Sequence, residues 1–144
     1  MKKYLGLGFL VLLSVTSVAK ADFHGEWQGT GDVSGGINLH CRKIYLSVTQ
    51  SSSQLEEEQG NAACGIFNQT IDPETFEIRG SELWQDDQKV GDISDSVVHA
   101  HLVQPNATYT FTFKLVSDGS LTLDADVVKP NLSYHLSGSL ERQN

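Results

Sequence analysis

Residues Ala107 to Leu115 alternate without a break. Tyr109, Phe111, Phe113 and Leu115 fall on one side of an extended chain, and Thr108, Thr110, Thr112 and Lys114 on the other. Successive side chains of a strand point to opposite faces, so this run reads as a strand with one dry face and one wet face. The pattern recurs. Leu121, Leu123, Ala125 and Val127 oppose Thr122, Asp124 and Asp126, and Ile44, Leu46 and Val48 oppose Tyr45, Ser47 and Thr49. Beyond residue 21 no window keeps an apolar period near 3.6. Such a chain folds as antiparallel sheet around a core, with no call for helices.

Turn residues punctuate these runs at short intervals. Ser34-Gly35-Gly36, Gly60-Asn61, Asp72-Pro73, Asp86-Asp87, Pro105-Asn106, Asp118-Gly119 and Pro130-Asn131 all read as turns. Asp118-Gly119 between two alternating runs is the strongest hairpin signal of the set. The spacing predicts eight to ten strands joined in sequence order. A meander of that length closes most economically into a small antiparallel up-and-down β-barrel. A two-sheet β-sandwich is the alternative.

The start of the chain is of another kind. Met1-Lys2-Lys3 is short and positive, Leu5 to Val18 is an apolar run of 14 residues, and Ala19-Lys20-Ala21 offers small residues where a signal peptidase reads them. This is the plan of a cleavable signal peptide over residues 1–21, leaving a single domain over 22–144. The run is shorter than the roughly 20 residues a membrane span needs. The expected location is therefore the periplasm or the exterior of a bacterium.

Three lysines and no acid leave with that segment. Seven basic residues then face eighteen acidic ones, a net charge of −11. That excludes phosphate-directed nucleic-acid binding and docking on anionic membranes, while it suits a cationic protein partner. Cys41 and Cys64 both lie in the exported part. In an oxidising compartment two cysteines most simply form one disulfide.

Phe23 to Gly31 is the most informative segment. Gly25, Trp27, Gly29 and Gly31 share one face, and His24, Glu26, Gln28 and Thr30 the other. Trp27 therefore points inward between residues without side chains, where a strand bends and a neighbour approaches closely. On the last strand Leu136, Gly138, Leu140 and Arg142 share a face. First and last strands of a closed meander are neighbours, so Arg142 is placed to lie over the Trp27 ring and plug the barrel end.

With Gly25-x-Trp27 on the first strand and Arg142 on the last, the chain resembles the calycin superfamily of lipocalin-like barrels. Gly25-x-Trp27-x-Gly29-x-Gly31 is also similar to the start of nitrobindin-type barrels. The resemblance implies a barrel whose interior takes a small, mostly apolar ligand, with Trp27, Tyr109, Phe111, Phe113 and Arg142 as ligand-binding candidates. It further implies His135, on a late strand before a Leu, as a haem-ligand candidate. Parity opposes that role, because His135 groups with Ser133, Ser137 and Ser139. The Thr-Asp-Tyr motif of classical lipocalins is absent, and Val33 to Ile37 is too short for a helical lid.

Other constellations are weaker. His99 and His101, two apart on a strand, share a face and have the spacing to chelate Zn or Cu, but no third ligand accompanies them. Glu56-Glu57-Glu58 reads as a solvated edge strand, charged against edge pairing. Asp124 and Asp126 sit too close on one strand to flank a scissile bond. No nucleophile elbow and no phosphate-cradling loop is present. The expectation is an exported, non-enzymatic binding protein with no resident cofactor. An inhibitor-like domain for a cationic protein is the alternative, and a histidine metal site the third reading.

Overall fold

The computed structural model describes residues 22–144, so the expected signal peptide lies outside the described residues. Those residues form β1 (Gly25–Gly35), β2 (Leu39–Gln50), β3 (Gln54–Cys64), β4 (Phe67–Ile71), β5 (Glu74–Arg79), β6 (Glu82–Gln85), β7 (Gln88–Ile93), β8 (Val97–Gln104), β9 (Ala107–Ser117), β10 (Ser120–Val128) and β11 (Ser133–Arg142). No helix occurs among them. Each strand pairs antiparallel with its neighbours, and β11 returns to β1 with Trp27 opposite Arg142 and Gly35 opposite Tyr134. The sheet is thereby closed, which distinguishes a barrel from the sandwich alternative.

The barrel has ten staves because β4 and β5 are two halves of one. Gly60 faces Ile71 and Glu57 faces Glu74 on β3, a register that runs unbroken through both halves. Asp72-Pro73, expected as a turn, is an interruption within this stave. Pro73 has no N–H to give the ladder, and opposite it β3 carries a bulge at Glu58, where the β2–β3 register shifts between Ser47 and Val48. Gly60-Asn61, also expected as a turn, lies inside β3. The reversal comes at Gly65-Ile66 instead, and further turns occur at Gly80-Ser81 and around Ser94. Asp86 and Asp87 do form a two-residue hairpin turn, with φ of 50° and 59°.

Closure depends on glycine at the seam. A Cβ on Gly29 would overlap the Ser139 carbonyl oxygen, and one on Gly31 the Ser137 carbonyl oxygen. No L side chain fits where β1 crosses β11 this closely.

The end of the barrel that holds Trp27 is shut. Trp27 is fully buried and its indole N–H donates to the Phe23 carbonyl at 2.9 Å. The Arg142 guanidinium carbon stands 4.7 Å from the Trp27 ring centre, and Arg142 Nη2 donates to the Asp22 carbonyl at 2.7 Å. Residues 22–24 are thus strapped across the opening, with the Phe23 amide donating to Gln50 Oε1. Cys41 and Cys64 face each other toward the other end and form a buried disulfide that ties β2 to β3.

Candidate ligand-binding cavity

The core does not fill the barrel. A cavity of about 210 Å³ runs from Phe23 and Trp27 toward the open end, where Gln104, Lys129 and Tyr134 border it. Its walls are mostly apolar: Leu46, Val48, Leu55 and Phe76 on one side, Leu121, Leu123, Val127 and Leu136 on the other. Tyr109, Phe111 and Phe113 point into it, as their alternation on β9 predicts, and they remain half-buried. Inward aromatic rings that stay accessible show that the space beside them is unfilled. Phe111 packs at 5.0 Å from Phe113, its neighbour on β9, and at 6.0 Å from Phe76 of β5, ring centre to ring centre, so the second contact reaches across the barrel interior.

Trp27 lines the cavity floor, while Arg142 lies behind the ring and does not border the cavity. Of the five expected ligand-binding residues the structure therefore brings Trp27, Tyr109, Phe111 and Phe113 to one space. It places Arg142 as their support from outside.

One polar residue breaks the apolar lining. Glu57 is 7% exposed, borders the cavity, and its Oε1 has no hydrogen-bond partner. Reading Glu56-Glu57-Glu58 as a solvated edge strand was wrong for Glu57, because β3 is an inner stave of a closed sheet. Leu55 and Glu57 share a face, and Leu55 is buried. The bulge at Glu58 then resets the alternation, so that Gly60, Ala62 and Cys64 also turn inward. Gly60 leaves room for the carboxyl: a Cβ there would stand 2.8 Å from Glu57 Oε1. Burial, reinforced by the nearby Glu74 and Asp72 carboxylates, pushes the Glu57 carboxyl up to about 8. Glu74 is itself held by two amides, Gln85 Nε2 at 2.8 Å and Gln104 Nε2 at 3.3 Å.

The histidines lie elsewhere. His99 and His101 are exposed on the outer face, each with Nδ1 within hydrogen-bond distance of a threonine hydroxyl, Thr112 at 2.8 Å and Thr110 at 2.7 Å. No group of three or more metal-ligating side chains assembles among the described residues. His135 also faces outward, with Nδ1 2.7 Å from Asp126 Oδ1 and Nε2 3.2 Å from Asp124 Oδ1. Hydrogen bonding to Asp126, followed by the charge of the two aspartates, holds its imidazole above the ordinary histidine range. A ring committed to the outer face does not fit the ligation of a haem inside the barrel. The two aspartates, too close on one strand to flank a scissile bond, serve as its partners.

No family model and no curated protein matches the sequence. Among solved structures, an S-type phycobiliprotein lyase from Guillardia theta superposes with a TM-score of 0.55 at 9% identity, over 85% of this chain and 89% of that one. A DUF3598-family protein of unknown function from Nostoc punctiforme superposes at 0.54 and 12% identity, over 84% of this chain and 48% of that one. A redesigned β-barrel, mFAP1, bound to DFHBI, superposes at 0.52 and 15% identity, over 83% and 94%. The chain shares the fold of these structures, a closed antiparallel up-and-down β-barrel. Its Trp27–Arg142 pair closes one end of the barrel, and its cavity opens at the other.

Proposed function

We propose that the protein is an exported binding protein that holds one small, mostly apolar molecule inside its barrel. The observation that carries this reading is the open cavity of about 210 Å³ with Tyr109, Phe111 and Phe113 turned into it and left half-buried. A core that served stability alone would close over those rings, because each loses contacts on its cavity side. An apolar cavity of ~150 Å³ accepts benzene, so this one suits a ligand of roughly eight to ten non-hydrogen atoms. The redesigned barrel of the same fold bound to DFHBI supports a small-molecule site. The buried Cys41–Cys64 disulfide supports export, since such bonds persist in oxidising compartments.

Titration with indole, followed by calorimetry, tests the site. Saturable binding of one indole per chain is expected, and it is lost in Ala125→Phe, which fills the cavity from β10. Non-saturable uptake, or unchanged binding by Ala125→Phe, overturns the reading. The native mass of protein recovered from an exporting host, set beside its denatured mass, shows whether a ligand is carried along and whether cleavage follows Ala21.

A further inference from the structure

Glu57 is an anomaly for a cavity that takes purely apolar ligands. A buried carboxyl without a partner weakens the fold, and Gln or Leu would fill the same place at less cost. Its Oε1 is the one buried carboxylate oxygen without a partner among the described residues, and it sits in the cavity wall. The neighbouring stave presents Asp72 and Glu74 to the same cavity. Glu74 is satisfied by neutral amides, which order it without cancelling its charge. On the β2 side Glu57 meets Val48, and no ion pair reaches Glu57, Asp72 or Glu74 among the described residues. Lys129, just past the end of β10, borders the cavity, as do Asp126, whose carboxylate is engaged by His135, and the phenols Tyr109 and Tyr134. One wall of the site therefore carries surplus negative charge and an unused acceptor, and the opposite wall is aromatic.

We infer that the ligand is an amphiphilic amine, whose apolar body lies against Phe111 and Phe113 and whose ammonium group pairs with Glu57. This rests on the cavity being the binding site. An ammonium supplies both things the wall lacks, a positive charge and hydrogen-bond donors. A carboxylate ligand would meet like charge there. The aromatic faces opposite favour a cation as well. Burial keeps Glu57 protonated near neutral pH, so pairing with an ammonium expels that proton to solvent. Charge balances: a cation enters and a proton leaves.

Phenethylamine and propylbenzene, which differ by an NH2 in place of a CH3, test this by calorimetry in two buffers of different ionisation enthalpy. At about pH 7 the amine is expected to bind at least about tenfold tighter than propylbenzene, releasing close to one proton. Its affinity should rise by nearly tenfold per pH unit up to about 8 and level off above it. Glu57→Gln should erase the preference and the proton release, and a cooperative urea transition shows that the variant is folded. An amine that binds no better than propylbenzene, or a preference that survives Glu57→Gln, overturns the inference and leaves the cavity reading intact. Acetophenone binding more tightly than the amine would likewise overturn it, making protonated Glu57 a donor to a carbonyl. If neither propylbenzene nor the amine binds, the cavity reading falls with it.

Discussion

Replacing Glu57 by Gln should make the protein more stable, and by an amount that grows with pH. In the unfolded chain the carboxyl titrates near 4.5, and in the barrel near 8. Below the lower value both states hold the proton, and the wild type carries no electrostatic penalty. Between the two values the unfolded chain has released its proton and the folded chain has not. Each pH unit then lowers wild-type stability by up to ~1.36 kcal/mol. Above the upper value both states are ionised, and the loss has reached roughly 4–5 kcal/mol. Glu57 is 7% exposed, so solvent screens little of this. Total stabilities of single domains are about 5–15 kcal/mol, so the effect is large enough to measure directly. Urea unfolding of both proteins at several pH values gives the difference, and subtracting Glu57→Gln removes the contribution of the other carboxylates to first order. The expected result is a gap that widens from about pH 4.5 to 8 and then stays flat. Parallel stability curves over that range would refute the argument, since Glu57 would then be solvated in the barrel.

Three further outcomes follow from the same structure. Gly29→Ala should cost about 3 kcal/mol or more in urea unfolding, because its methyl meets backbone of β11, with Leu140 Cα at 2.8 Å; Gly119→Ala, with nothing within 4 Å, should stay within about 0.5 kcal/mol. Replacing Cys41 and Cys64 together by Ser should lower stability by about 3 kcal/mol, given a sequence separation of 23 residues, while indole binding in the folded protein persists. His135 gains from its aspartates when charged, so its contribution is present below the ordinary histidine pKa and is lost as pH rises through its raised folded value. Its side chain is 37% exposed, so His135→Asn should remove less than about 1 kcal/mol, visible as a flatter stability profile around neutral pH.

Much of this protein is legible along the chain. Period-two alternation at Ala107 to Leu115 and Leu121 to Val127 specifies which side chains face inward, because successive side chains of a strand leave on opposite faces whatever the tertiary setting. The pairing of Trp27 with Arg142 follows in the same way once first and last strands are neighbours, and the glycines beside Trp27 mark where they cross. Turn residues carried less. Asp72-Pro73 and Gly60-Asn61 have turn composition, but they interrupt or sit within staves, since a missing N–H or a missing side chain also serves a bulge.

The tertiary structure decided what local pattern could not. Whether the barrel interior is filled depends on its radius and on side chains from ten staves summed in three dimensions, so the cavity of about 210 Å³ is invisible in any one strand. The same holds for Glu57. Three consecutive glutamates read as solvated because charge is costly to bury, and the hint to the contrary was its shared parity with Leu55. Its place in the cavity wall arises from closure of the sheet, which leaves β3 no free edge, and from the bulge at Glu58, which aims the carboxyl inward beside Gly60. Alternation along a strand is a property of the backbone and can be read locally. The environment into which each face points is made by the other strands, and it exists only when the barrel is closed.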